Sequence, residues 1–415
     1  MWRILLEEFW GDLVAQKTRA LLTGFAVVWG SMSVVLLLAF GQGLRHEVVA
    51  GLLNAGERMF MVWGGTTSEP YQGLPRGRRI RLDEEDLTLL ERSIPDDDMV
   101  SPSYGRNQAS LEVDGIKTNT YMEGVVPAFG ELRNMYPAPG GRFLDARDVA
   151  EKRRVLFLGD SIAARLFPGG HPVGRTVTLD GLPFTVVGVM ESKFQDSSNN
   201  GPDAERAIIP ASTFKAIYGD RYVDHLLVRP REVDRAAFVK SEIYRVLGRR
   251  HGFAAGDTHA LGIWDFIEDA RMNRAIGLGI QIFLGLVGAF TLIVAGVGLA
   301  NVMVVAVRER TPEIGVKLAL GARKRHIVAQ FVFEALLLAL MGGLLGLGMA
   351  SLLVVGVDAL PGGDSGAMVY LLNPRLSWPI AFISVGILVA IGLAAGILPA
   401  RRAAAVDPVE SLRYE

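Results

Sequence analysis

Four stretches of this chain carry no ionisable side chain at all, and each is too long for an ordinary buried helix. They are Ala20 to Leu44, Ala275 to Val307, Ala335 to Val357 and Leu376 to Ala400. Crossing ~30 Å of hydrocarbon takes about 20 helical residues at 1.5 Å of rise each, and every run exceeds that. Lys17 and Arg19 precede the first run, as in a secretory leader, but the run outlasts a leader's apolar region and shows no clean cleavage site after Phe40. It therefore reads as an uncleaved anchor.

The lysines and arginines orient these spans. Residues 308–326 hold Arg308, Arg310, Lys317, Arg323, Lys324 and Arg325, while residues 358–375 hold only Arg375 against Asp358 and Asp364. Positive loops stay in the cytoplasm, which puts both termini inside and residues 45–274 outside. The boundaries that follow are an N-terminal cytoplasmic amphipathic segment (1–19), spans at 20–44, 275–307, 328–357 and 376–400, a cytoplasmic loop at 308–327, a short outer loop at 358–375 and a tail at 401–415. The fold expected is an α-helical membrane protein with four transmembrane helices and a large extracytoplasmic mixed α/β domain inserted between helices 1 and 2. A formal net charge of −1 gives no bias toward nucleic acid. The chain has no cysteine, so it forms no disulfide.

Within 45–274, Asp83 caps a helix in the stretch Arg78 to Ser93, and its neighbours Glu84, Glu85 and Asp86 fit a first turn rather than a metal site. Asp96, Asp97 and Asp98 read as a solvated turn after Pro95. Strands are expected at Ser110 to Val113, Lys117 to Gly124, Val155 to Leu158, Thr176 to Leu179, Phe184 to Val189 and Asp224 to Val228, with hairpin turns at Asp114-Gly115 and Asp180-Gly181. Arg235 to Leu247 reads as a helix with Ala236, Val239, Ile243 and Val246 on one side.

Two enzymatic readings can be weighed. Val155 to Ser161 (VLFLGDS) resembles the nucleophile block of GDS-type hydrolases, but Asp224-His225 and Asp257-Thr258-His259 lack the spacing of that family's His block. Asp160 and Ser161 are otherwise expected to cap a helix at Ile162 to Leu166. The six histidines form no metal-ligand pair. No Gly-Lys dipeptide occurs, so this sequence holds no P-loop, and the spans lack the buried acids and bases of a proton pump, Glu334 at the cytoplasmic end of span three being the nearest. Energy is expected from a partner.

The loop RERTPEIGVKLALGARKRHI and the following FVFEALLLALMGGLLGLGMA resemble the signature of MacB/FtsX-type permeases of ABC transporters. The tail ILPARRAAAVDPVESLRYE and the outer segments GGRFLDARDV, VLFLGDSIAARLF, PVGRTVTLDGLPFTVVGVM and AIIPASTF are similar to that family too. The resemblance implies a bacterial inner-membrane, multi-pass mechanotransmitter. It would work as a homodimer, or paired with a related permease, with a separate cytoplasmic ABC ATPase that binds the ATP and Mg; this chain is expected to hold no cofactor and to be non-catalytic. The substrate would be a drug, peptide, toxin or lipoprotein, with a periplasmic adaptor and outer-membrane channel as further partners. The alternative in the same family is a scaffold that activates a cell-wall enzyme, and the third reading is the anchored GDS hydrolase.

Residues then take expected roles. Thr311 caps a short helix, Pro312 opens it and Gly321 ends it. Ile314 and Leu318, at i and i+4, form an apolar ridge for a groove on an ATPase. The coupling contact is assigned to Arg310, Pro312, Glu313, Ile314, Gly315, Lys317, Leu318, Gly321 and Ala322. A second contact is assigned to Asp407, Pro408, Glu410, Leu412 and Arg413, where Asp407-Pro408 resembles a helix start. Gly277, Gly285, Gly288 and Gly296 in span two permit close helix approach and are the expected dimer interface.

Overall fold

The computed structural model describes residues 17–53, 56, 58–94, 97–193, 195, 200–358, 374–376 and 378–404. Two compact units emerge, one from residues 1–47 with 275–415 and the other from residues 48–274.

The second unit is an α/β domain organised around one very long strand. Its elements are β1 (Phe60–Gly64), α2 (Glu84–Ser93), β2 (Asp97–Val113), β3 (Ile116–Val125), α3 (Ala128–Leu132), α4 (Ala146–Ala150), β4 (Val155–Leu158), α5 (Asp160–Leu166), β5 (Thr176–Leu179), β6 (Leu182–Val189), β7 (Arg206–Pro210), α6 (Ala211–Tyr218), β8 (His225–Pro230), α7 (Ala236–His251) and β9 (Leu261–Asp265). α1 (Lys17–Leu53) precedes them and α8 (Phe266–Glu309) follows.

Strands β3, β7, β4, β6, β5 and β2 run side by side, and β2 pairs back with β3, closing a six-stranded ring. Beyond it, the first half of β2 continues into an open sheet with β8, β1 and β9. The register slips between Arg106 and Ala109, where Gln108 takes a positive φ of 59°. The bulge there interrupts the β2–β3 ladder, which begins at Ser103 where the pairing with β8 ends. Asp114-Gly115 and Asp180-Gly181 have both residues at positive φ, the geometry of tight hairpins, and they join β2 to β3 and β5 to β6.

The core follows from the alternation. Phe60, Val62, Leu111, Met122, Leu156, Phe184 and Leu226 point to one buried cluster, while Met61, Val125, Phe157, Ile208 and Leu227 fill another on the opposite face. α2 starts at Glu84 with a reciprocal cap, Asp83 accepting from Glu85 and Asp86 and Asp86 accepting from Asp83 N–H. Its acids are then taken by α7, where Arg250 reaches Asp83 at 2.9 Å and His251 reaches Asp86 at 2.8 Å.

The expected cap at Asp83 is where α2 begins, and upstream of it Arg79 and Leu82 are extended and bridge Thr66 and Val223. Two local expectations need correction. Asp97 and Asp98 open β2 instead of forming a turn, because the backbone from Asp97 to Ser103 pairs with β8. α5 begins at Asp160 with Gly159 as its cap and no side-chain capping bond; Asp160 and Ser161 are already in its first turn.

The other unit is helical: α1 (Lys17–Leu53) as far as residue 47, α8 (Phe266–Glu309) from residue 275, α9 (Thr311–Ala319), α10 (Lys324–Asp358) and α11 (Trp378–Ala403). Four of these are long and apolar enough to cross a membrane, over Gly24–His46, Phe266–Glu309, Lys324–Val357 and Ala381–Arg402. α8 begins at Phe266, ahead of the uncharged run, because Asp265 caps it by accepting from the N–H groups of Ile267 and Glu268. Its 44 residues make a helix of ~66 Å, about twice the hydrocarbon thickness.

Small residues set the helix packing. A Cβ on Gly288 would sit 3.2 Å from Val34, and one on Gly296 would sit 2.6 Å from Ile391. Gly277 faces Arg45 in the same way. Gly277, Gly288 and Gly296 are therefore used inside the protomer, against α1 and α11, and only Gly285 of the four expected interface glycines has open space around it.

Candidate functional site

Between α8 and α10 the chain must reverse direction within a few residues, and α9 is the device that does it. Arg310 is the junction residue, with φ −97° and ψ 8°. The Thr311 hydroxyl donates to Val307 O at 3.0 Å, so it satisfies the end of α8 and does not cap α9; Arg310 occupies the cap position. Pro312 lies in the first turn, where a missing N–H costs nothing, and Glu313 places negative charge at the helix start.

The end of α9 is sharply defined. Ala322 N–H reaches Lys317 O at 2.9 Å and Gly321 N–H reaches Leu318 O at 3.0 Å, with Gly321 at φ +93°. This is the paired-bond termination that needs a left-handed residue, and glycine supplies it without strain.

α9 has two apolar faces. Ile314 is 3% exposed and packs with Leu299, Met303 and Val307 of α8 and with Ile327 and Phe331 of α10; Leu318 joins that cluster half-buried. The expected ridge of Ile314 and Leu318 therefore points inward, and its contacts are to the chain's own helices. The outward face holds Pro312 and Glu313, with Val316 at 44% and Leu320 at 84% exposure. Gly315 is buried, Lys317 and Ala322 are half-buried, and Gly321 is exposed. Outside a membrane span, an exposed valine and leucine on one short helix are the surface most in want of a partner.

Beside this helix, Arg310 Nη1 lies 3.2 Å from Glu334 Oε1 and 3.4 Å from Oε2, and Gln330 Nε2 donates to the same carboxylate at 3.5 Å. Arg310 is thus committed at least partly to its own chain. Asp407, Pro408, Glu410, Leu412 and Arg413 lie outside the described residues.

The α/β unit holds a feature that the sequence reading missed. Glu123 is fully buried and receives Arg206 Nη1 at 2.6 Å and the Ser103 hydroxyl at 2.6 Å, with His225 Nε2 at 3.4 Å. Asp203, also fully buried, pairs with Arg133 at 2.6 Å and Lys193 at 2.9 Å. Despite burial, which acts to raise both carboxyls, the neighbouring guanidiniums hold Glu123 and Asp203 below the usual carboxylate range. Burial pushes His225 down to about 4, so it is neutral at physiological pH. Nothing in an isolated Glu within a β-pattern signals this cluster.

His225 Nε2 lies 3.4 Å from Glu123 Oε1 without a hydrogen bond, and Asp257 accepts from Ser68, Glu69 and His259 backbone N–H groups. Among the described residues neither His225 nor His259 shares a hydrogen bond with Ser161, so the geometry of an activated serine is not assembled there. Two clefts of ≈ 390 and ≈ 360 Å³ share Gly64, Arg79, Gly105 and Asp224 and are walled mainly by polar groups.

Comparison with known proteins follows the same division. Residues 20–246 match the MacB-like periplasmic core domain and residues 285–408 match the FtsX-like permease C-terminal domain. The macrolide export ATP-binding/permease protein MacB of Vibrio parahaemolyticus is 31% identical over 96% of this chain and 58% of its own length. MacB of an Azoarcus species is 32% identical over 97% of this chain and 58% of its own. The pyoverdine export ATP-binding/permease protein PvdT of Pseudomonas putida is 31% identical over 99% and 59%. The chain thus spans about three-fifths of the length of these curated relatives. Among solved structures, the periplasmic region of MacB from Actinobacillus actinomycetemcomitans aligns at 19% identity and TM-score 0.43, covering 54% of this chain and 96% of that one. The extracellular domain of the transporter YknZ from Gram-positive bacteria aligns at 17% and 0.41, covering 50% and 100%. Four apolar helices and a permease domain make this a multi-pass membrane protein. With both halves of its length matched, the chain belongs to the family of ABC transporter permeases that join a MacB-like periplasmic core domain to an FtsX-like permease domain.

Proposed function

We propose that this permease is a mechanotransmitter, taking mechanical input from an ABC ATPase at the outward face of α9 and passing it along α8 to the α/β unit. The observation that carries this reading is the double-sided character of α9. Its inner face is locked into the helix core through Ile314, while Val316 and Leu320 stand exposed at the turn between two spans. A helix so built can accept an apolar groove without giving up its own packing. The basic residues Arg308, Arg323, Lys324 and Arg325 around it, and Arg401 and Arg402 at the end of α11, support a cytoplasmic position for this end of the bundle, and with it both termini inside and the α/β unit outside.

Nucleotide chemistry belongs to the partner, which brings the ATP and Mg. The permease works as a pair, and Gly285 with the exposed Leu286, Phe290 and Ile293 of α8 offers a seam for a second copy. The work done is export or extraction of a substrate such as a drug, peptide, toxin or lipoprotein, with a periplasmic adaptor and outer-membrane channel completing the path. The relatives named for macrolide and pyoverdine export support the export branch.

The test is co-purification from membranes. Wild-type chain should retain an ATPase, and Val316→Asp with Leu320→Asp should lose it while the permease stays inserted. Retention of the ATPase by that double variant would refute the assignment.

A further inference from the structure

We infer that Arg310 and Glu334 form the joint that makes α9 move as one body with α10, so that a displacement of α9 enters the helix bundle instead of being absorbed by the loop. The inference rests on the reading of α9 as the point of input.

Arg310 is the residue between the end of α8 at Glu309 and the start of α9 at Thr311. Its guanidinium lies 3.2 and 3.4 Å from the two carboxylate oxygens of Glu334 on α10. Gln330, one turn earlier on α10, donates to the same carboxylate. Glu334 is 8% exposed, and its neighbours Phe331 and Ala335 belong to the cluster that also holds Ile314.

A carboxylate enclosed to that degree is tolerated when a positive partner faces it. Here the partner sits at the backbone junction of α8 and α9, so one charge pair ties three helices. The apolar contacts of Ile314 hold α9 against the bundle but are non-directional. The charged contact, with Arg310 Nη1 shared between both carboxylate oxygens, adds a directional hold that the apolar contacts lack. Arg310 and Glu334 are in this sense positioning residues: the exposed Val316 and Leu320 receive the partner, and the pair holds the helix that bears them.

The absence of cysteine allows a direct test. Leu320→Cys and Leu344→Cys, both exposed, place spin labels on α9 and α10 of the full chain. The protein is measured in nanodiscs of phosphatidylethanolamine and phosphatidylglycerol, diluted into an excess of unlabelled chain. Wild type should give one narrow distance. Glu334→Gln and Arg310→Gln should lose it to a broad distribution, and the exchange R310E/E334R should restore the narrow one. Glu334→Asp keeps the charge but draws the carboxylate back, and it should broaden the distance in a chain that still folds. A wild-type distance in Glu334→Asp, or an exchange variant as broad as the single ones, would overturn the joint. Melting temperature and elution volume, measured beside it, separate loss of the joint from loss of fold. Retention of the co-purifying ATPase by Leu320→Asp would overturn the docking reading alone and leave the distance result intact.

Discussion

Substitutions on the two faces of α9 should produce opposite failures. Leu320 is 84% exposed, so Leu320→Asp removes little packing and its effect on folding should stay within about 0.5 kcal/mol. If that leucine enters an apolar groove on an ATPase, the same change leaves a charge without water in the complex. A loss of about 2–3 kcal/mol of binding follows, or roughly 30- to 150-fold in affinity. Ile314 is 3% exposed among Leu299, Met303, Val307, Ile327 and Phe331. Ile314→Ala there should cost ~2–5 kcal/mol of stability through the cavity it leaves, and any loss of partner would accompany loss of the helix. The assay is thermal unfolding of detergent-solubilised permease, run in parallel with the amount of ATPase retained on it. Leu320→Asp with normal melting and normal ATPase retention would refute the outward-face reasoning, as would Ile314→Ala with normal melting but no ATPase.

Three further outcomes follow from the geometry. Between about pH 4, where burial holds His225, and its ordinary 6.5, the unfolded chain binds a proton that the folded one does not. The α/β domain should therefore be fully stabilised above about pH 6.5 and lose up to ~3 kcal/mol as pH falls toward 4, at 1.36 kcal/mol per pH unit, and His225→Gln should flatten that slope in a urea-unfolding series. Gly296→Ala should destabilise the helical unit by about 1–3 kcal/mol because its Cβ would lie 2.6 Å from Ile391, while Gly285→Ala, in open space, should be neutral in the same melting assay. Gly321→Ala places a Cβ at φ +93° and should cost ~1–2 kcal/mol, seen as faster proteolysis after Arg323 with the rest of the permease intact.

Where a residue's backbone dictates its type, the sequence was readable. Asp114-Gly115 and Asp180-Gly181 announce their hairpins because few residue pairs accept two positive φ values, and Pro312 and Gly321 bracket α9 for related reasons. What could not be read is which way a face looks. Ile314 and Leu318 share one side of α9, Val316 and Leu320 another, and a helix with two apolar sides has no preferred inside until neighbouring helices are placed. The glycines of α8 pose the same problem, since Gly285, Gly288 and Gly296 carry one sequence signal and meet three different surroundings. β1, β7 and β9, five residues each, were not anticipated. The Glu123–Arg206 and Asp203–Arg133 pairs link β3 to β7 and α3 to the segment before β7, and long-range charge pairing leaves no local pattern at all.

α9 has nine residues, fewer than the 12–15 at which an isolated helix begins to hold in water. Its helicity must therefore come from the contacts of Ile314 and Leu318 with α8 and α10. A segment that owes its shape to its neighbours cannot swing as a free loop, since leaving the core would unfold it. Anything that grips Val316 and Leu320 and moves must then move α8 and α10 as well, or melt the helix it grips. The Arg310–Glu334 pair biases that choice toward movement, because separating it would take the facing positive charge from a carboxylate that is 8% exposed. On the proposed reading, the residues that make α9 stable are the same ones that carry the movement.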